Sequence, residues 1–96
     1  MGAADFMTRA SGATAKEAFQ NATAEARHEY GHRGYTGSIA EKTGFQMLTV
    51  PDGKTLEQFA EEIVCDDEHW ASDKRGPAAC FALGDTEFLF VGVASC

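Results

Sequence analysis

The stretch TEFLFVGVA, residues 86–94, is almost entirely apolar after its first two positions. In an extended strand, alternate side chains point to opposite faces of the sheet. Phe88 and Phe90 would therefore lie on one face, and Leu89 and Val91 on the other. A strand that is apolar on both faces is typical of the centre of a sheet, or of a surface that a partner covers. The sequence predicts that this segment is a strand with both faces buried.

Three further strands are indicated upstream of this segment. Residues 78–83 form a second apolar run, and Gly84-Asp85 between the two runs is a two-residue hairpin signal. Residues 35–41 are compatible with a short strand, and residues 45–50 alternate as another. Lys42-Thr43-Gly44 supplies turn chemistry between that pair. The pattern predicts two hairpins.

Each hairpin follows an amphipathic helix. Thr14 with Glu17 and Thr55 with Gln58 both fit the capping box, in which two side chains satisfy exposed backbone amides at a helix start. The apolar residues after each box recur at helical spacing. In the first helix, residues 15–30, they are Ala15, Ala18, Phe19, Ala22, Ala26 and Tyr30; in the second, which we expect to reach about residue 68, they are Leu56, Phe59, Ala60, Ile63 and Val64.

These elements predict an α+β fold in the order α-β-β-α-β-β. We expect two helices packed on one face of a four-stranded, mainly antiparallel sheet, since this buries the apolar stripe of each helix economically. Residues 1–12 are small and polar, and we expect a flexible N-terminal tail there. Residues 13–96 would form a single domain.

The net charge of −7 comes entirely from the second half of the chain. Residues 1–44 carry five bases and five acids, whereas residues 45–96 carry three bases and ten acids. An acidic block without Lys or Arg accounts for most of this excess: it consists of Glu57, Glu61, Glu62, Asp66, Asp67, Glu68 and Asp73. Such a block repels phosphate and attracts basic proteins, which disfavours direct nucleic-acid binding. It indicates either a docking surface or a charged surface that only maintains solubility.

The glycine-rich segment GHRGYTGS, residues 31–38, is the second candidate for a binding site. It matches neither a P-loop nor a Rossmann turn, because both follow a strand and open a helix. Arg33 and Tyr35 have the chemistry of interface anchors. Alternatively, the glycines only end the helix and allow a close-packed strand.

Two residue pairs have the spacing of metal ligands. His28 with His32 and Cys65 with His69 are each four residues apart, but nothing in the sequence brings the two pairs together. We therefore expect no metal and no cofactor. Cys65 or Ser38 could be paired with a histidine as nucleophile and base, yet neither lies in a catalytic signature. We expect that the protein is not an enzyme.

The cellular compartment is indicated by features that the sequence lacks. The three cysteines form no disulfide framework, which favours a reducing environment. No apolar run approaches the length of a membrane span, and the first residues lack the features of a signal peptide. We expect a cytoplasmic protein without membrane contact.

The segment EYGHRGYTGSIAEKTGF, residues 29–45, resembles small bacteriophage proteins that carry a YGHxGYTGxIAEK-like string after an amphipathic helix. The closing FLFVGVASC is similar to the apolar final strand of such proteins. These relatives have no settled activity, so the resemblance implies a setting, a phage protein made inside a bacterium, but no site residues. Small acidic phage proteins often inhibit host machinery, as anti-CRISPR and other anti-defence proteins do, and this step is an analogy.

The leading hypothesis is a non-enzymatic phage protein that inhibits a host protein, such as a nucleic-acid-handling defence complex. The acidic block would dock on a basic surface of that partner. The alternatives are a metal- or ligand-binding module at the GHRGYTG loop and a phage structural or assembly component. We also expect a homodimer with the terminal hairpin in its interface, because helices on one face would leave the other apolar face of the last strand uncovered.

Overall fold

The structure is a computed structural model that describes residues 3–30, 38–66, 68–73 and 76–95. These residues form four strands, two α-helices and two short 3-10 turns, the turns at Ile39–Glu41 and Trp70–Ser72. In chain order the larger elements are β1 (Ala3–Ser11), α1 (Ala15–Tyr30), β2 (Phe45–Met47), α2 (Leu56–Cys65), β3 (Ala78–Ala82) and β4 (Glu87–Ser95).

The strands form one sheet in the order β1-β4-β3-β2. β4 lies between β1 and β3 and pairs antiparallel with both, whereas β2 pairs parallel with β3. The expected α+β class, with two helices and a four-stranded, mainly antiparallel sheet, is confirmed. The central position of β4 explains why its sequence is apolar on both faces.

The expectation of a flexible tail over residues 1–12 is wrong for residues 3–11, which form β1. This strand pairs with β4 along its whole length, from Ala3 opposite Ser95 to Ser11 opposite Glu87. Phe6, in the middle of β1, is buried in the core. β1 carries little apolar surface of its own, so its sequence does not predict a strand; its backbone hydrogen-bond partners are supplied by β4. The element order is therefore β-α-β-α-β-β.

The strand expected over residues 35–41 is not found where the structure describes that segment. Residues 39–41 form a 3-10 turn, and the Ser38 side chain caps it by accepting a hydrogen bond from the Ala40 amide. Residues 31–37 lie outside the described part of the chain. The second helix also ends earlier than expected, at Cys65, because Asp66 is extended and its amide bonds back to the Ile63 carbonyl.

The two helices pack on opposite faces of the sheet, which corrects the expectation that both lie on one face. The Phe88 and Phe90 face of β4 packs against α1, in a cluster that includes Phe19. The Leu89 and Val91 face packs in a second cluster with residues of α2. Alternate residues of one strand point to opposite sides, so the two clusters are separated by the sheet.

This placement removes the reason for expecting the terminal hairpin in a dimer interface. Both faces of β4 are covered from within the chain. One edge pairs with β1 along the whole strand, and the other pairs with β3 over residues 88–91. Val91 and Phe90 are fully buried. The apolar faces of β4 therefore do not require a second copy of the chain to cover them.

We expect Gly92→Ala to lower the free energy of unfolding by about 1–3 kcal/mol through overpacking. A Cβ at Gly92 would lie 3.1 Å from the tip of the Phe6 ring in β1 and 3.3 Å from the Ala71 carbonyl oxygen. The matched control is Gly84→Ala, where no atom lies within 4 Å of the added methyl group. Urea denaturation of both variants measures the difference. Equal stability of the two would mean that Phe6 does not pack over Gly92 and that β1 is misplaced.

Candidate functional site

The outer side of α2 carries three of the acidic residues. Ala60 and Ile63 of α2 are buried in the core, so Glu57, Glu61 and Glu62 are exposed on its solvent side. Lys54 forms an ion pair with Glu62, at 2.7 Å between Nζ and Oε1. Exposed pairs of this kind contribute at most about 1 kcal/mol. This face of α2 therefore keeps a negative excess.

The negative charge continues into the turn that follows α2. Asp66 caps the end of the helix, and its Oδ1 accepts a hydrogen bond from the Glu68 amide at 3.0 Å. Both residues are exposed. We call the set Glu57, Glu61, Glu62, Asp66 and Glu68 the acidic surface. Asp67, which we predicted as part of the same block, lies outside the described residues.

Asp73, the last member of the predicted block, lies at the end of the second 3-10 turn and has a different environment. Its backbone carbonyl accepts a hydrogen bond from Lys42 Nζ at 3.1 Å. The negative charge of Asp73 also acts on the Lys42 ammonium. Asp73 thus interacts with the buried Lys42, and the acidic surface does not include it.

Lys42 is the residue that sequence reasoning missed. It is buried next to the first 3-10 turn, and its ammonium donates hydrogen bonds to the carbonyl oxygens of Asp73 and Gly76, at 3.1 and 2.9 Å. Burial lowers the pKa of Lys42, and the charge of Asp73 partly offsets this. Lys42 therefore joins the α1 side of the molecule to the connection that follows α2. No local signal distinguishes it from a surface lysine.

A cleft of about 650 Å³ between α1 and β2 has the opposite charge. Phe19 and Phe45 line it together with the basic residues Lys16 and Arg27, which are exposed on α1. The charged residues that line this cleft are thus basic, whereas the outer side of α2 is acidic; α1 as a whole is not basic, because it also carries Glu17, Glu25 and Glu29. Because the helices lie on opposite faces of the sheet, the sheet separates the two charge regions.

The predicted metal-ligand pairs are only partly described. His28 is exposed near the end of α1, whereas His32 lies outside the described residues, as do the predicted anchors Arg33 and Tyr35. Cys65 and His69 do not share a helix, because α2 ends at Cys65. In the ranges that the structure describes, no group of three or more His, Cys, Asp or Glu residues could hold a metal ion.

The groups considered as nucleophile and base have other roles. His69 Nδ1 accepts a hydrogen bond from the Ala71 amide at 3.0 Å, and its ring contacts the Trp70 ring, with centroids 5.1 Å apart and planes tilted by 36°. That nitrogen lone pair is occupied, so it cannot at the same time accept a proton from a nucleophile. Among the described residues, no hydrogen bond joins the exposed Cys65 to a histidine. Burial raises the pKa of the Cys80 thiol to about 11, which keeps it protonated.

The chain matches no protein-family model, and no curated protein or solved structure is significantly similar to it. Within the described ranges, no helix has the length and apolar character needed to cross a membrane.

We expect Lys42→Met to destabilise the protein by about 1–3 kcal/mol, because the part-buried carbonyl groups of Asp73 and Gly76 lose a charged hydrogen-bond donor. The methionine keeps most of the aliphatic stem, so the change isolates the ammonium. Lys54→Met is the control at an exposed lysine: it removes the ion pair with Glu62 and the contact of Nζ with the Phe59 ring, at 5.8 Å from the ring centroid, and should cost about 1 kcal/mol. Urea denaturation compares the two. If Lys42→Met is no more harmful than Lys54→Met, Lys42 does not hold the connection in place.

Proposed function

We propose that this protein is a non-enzymatic inhibitor that binds a host protein, and that the acidic surface docks on a basic region of that partner. A protein that handles nucleic acid is the best match, because its phosphate-binding groove is basic. In this proposal the inhibitor occupies that groove with carboxylates in place of phosphates. Binding alone then accounts for inhibition.

The observation that supports this proposal is that the side chains of the acidic surface are exposed and lie outside the core. The residues of α2 that enter the core lie on its other side. Glu57 and Glu61 are one helical turn apart, and like charges at this spacing destabilise a helix by a few tenths of a kcal/mol. Glu57, Glu61 and the Glu68 carboxylate form no ion pair with another described residue. Docking on a basic partner would relieve this repulsion.

The biological setting rests on the resemblance of residues 29–45 to small phage proteins. On that basis the protein acts in the cytoplasm of a bacterial host, as an anti-defence protein such as an anti-CRISPR. Arg33 and Tyr35 have the chemistry of interface anchors, and their part in binding stays a prediction. No nucleic acid, cofactor or metal takes part in the proposed interaction.

The alternative functions have less support. A metal- or ligand-binding module would be centred on the GHRGYTG loop, residues 31–37, all of which lies outside the described residues, so it stays a prediction. Assembly through the last strand requires an exposed surface on β4, and both faces of β4 are packed. The acidic surface is the feature that remains exposed.

The test is a triple variant, Glu57→Gln, Glu61→Gln and Glu68→Gln. These side chains carry no described hydrogen bond or ion pair, so folding should be unchanged or slightly more stable. Tagged wild-type protein is first used to isolate a stoichiometric host complex from expressing bacteria. Stopped-flow association with the purified partner should then be several-fold slower for the triple variant at low salt, with a weaker dependence on salt.

The matched control removes three acids elsewhere: Asp52→Asn, Asp85→Asn and Glu87→Gln. All three residues are exposed and outside the acidic surface, and the change in net charge is the same. This control should associate at nearly the wild-type rate. Equal association rates for the two triple variants would mean that net charge alone sets the rate, which would contradict docking through the acidic surface. Failure to isolate any stoichiometric partner would contradict the proposed function as a whole.

A further inference from the structure

The outer edge of β1 is the longest open strand edge in the described part of the chain. β1 and β2 are the two edge strands of the sheet, and β1 has nine residues whereas β2 has three. An open strand edge presents unpaired backbone amides and carbonyls, which makes it a template for another strand. A strand of another molecule could therefore pair with the outer edge of β1.

The register identifies which backbone groups point outward. The Gly12 amide donates a hydrogen bond to the Thr86 carbonyl at 3.0 Å, in continuation of the β1–β4 register. In an antiparallel ladder such bonded pairs recur at every second residue. The even-numbered residues of β1, including Phe6 and Thr8, thus bond to β4. The odd-numbered residues direct their amides and carbonyls to the open edge.

One contact supports this orientation. The Ser11 carbonyl accepts a hydrogen bond from the Asn21 side-chain amide, at 2.9 Å, and is therefore turned away from β4. No described residue bonds to the outward backbone groups of Asp5, Met7 or Arg9. The side chains of these three residues are also exposed, with Met7 at 45%.

The sequence of β1 is complementary to itself about Met7. Met7 is the middle residue of Ala3–Ser11, so the antiparallel register that overlaps two copies of the strand completely places Met7 opposite Met7. The same register places Asp5 of each copy opposite Arg9 of the other. Residues directly opposite each other have Cβ atoms about 5 Å apart, close enough for an ion pair. The outward backbone groups of these residues also meet in this register.

We propose that β1 binds a second copy of this chain, by antiparallel β1–β1 pairing about a two-fold axis through Met7. The two sheets then join into one continuous sheet. Two Asp5–Arg9 ion pairs flank the axis, and the exposed Met7 side chains pack on each other. A two-fold dimer is the commonest closed assembly, and this interface uses neither β4 nor the acidic surface.

The carboxylates of α1 oppose this pairing. Glu25 and Glu29 line the groove beside β1 on the α1 side of the sheet. In the dimer they approach the same residues of the second copy, and like charges repel. We therefore expect a reversible dimer that dissociates on dilution, and tighter association for Glu25→Gln.

The test is sedimentation velocity across a concentration series up to high micromolar. Wild-type protein should show a monomer–dimer equilibrium. Asp5→Arg alone and Arg9→Asp alone should each weaken it by about tenfold or more, since every cross-strand pair becomes repulsive. An equimolar mixture of the two variants should recover the dimer, because each mixed dimer again has two pairs of opposite charge. Asp85→Arg, an equal charge change on an exposed hairpin residue, should have no effect.

A backbone variant tests the pairing independently of charge. Met7→Pro removes an amide that points to the open edge, so it should abolish the dimer and leave pairing with β4 intact. Circular dichroism should show that the Met7→Pro variant is folded, and sedimentation velocity should show that it is monomeric. A wild-type monomer at high micromolar concentration overturns the proposal and leaves the edge to a strand of another protein. A charge mixture that stays monomeric overturns it as well.

Discussion

The fold depends on the pairing of β4 along both of its edges. β4 is the strand with the most apolar surface, and such a strand can be buried only if backbone hydrogen bonds are supplied on each side and side chains on each face. β1 and β3 supply the hydrogen bonds, while α1 and α2 cover the faces. Each of these four elements contacts β4, so the loss of one exposes apolar surface or unpaired backbone groups.

The same arrangement divides the molecular surface into distinct regions. α1 has basic residues at its cleft with β2, and α2 has the acidic surface on its outer side. The sheet lies between them, and Lys42 links the two sides through its bonds to Asp73 and Gly76. The open edge of β1 is a third region. The proposed partner and the proposed second copy therefore use different surfaces and do not compete.

Local signals predicted the starts of both helices and the hairpin of β3 and β4, but the hairpin expected over residues 35–50 is wrong, because β2 ends at Met47 and pairs parallel with β3. The capping box of α2 is present with both hydrogen bonds, Gln58 amide to Thr55 and Thr55 amide to Gln58, and α1 spans the expected residues. β1 could not be recognised, because its large buried side chain, Phe6, gives no periodic pattern and its strand conformation depends on β4. The apolar residues on both faces of β4 predicted that each face is covered. They did not indicate that α1 covers one face and α2 the other. The acidic surface was predicted because exposed charges follow directly from helical spacing, whereas the role of Lys42 depends on residues more than thirty positions away.

The most direct test of this account is to remove residues 1–11 and measure cooperative unfolding in urea. The account requires β1 as the second partner of β4, so the shortened chain should lose its cooperative transition and expose the Phe88 and Phe90 face of the sheet. Binding of a hydrophobic dye at zero denaturant would report that exposure. If the shortened chain instead unfolds cooperatively with the free energy of the full-length protein, residues 1–11 are a dispensable tail and the central pairing is wrong.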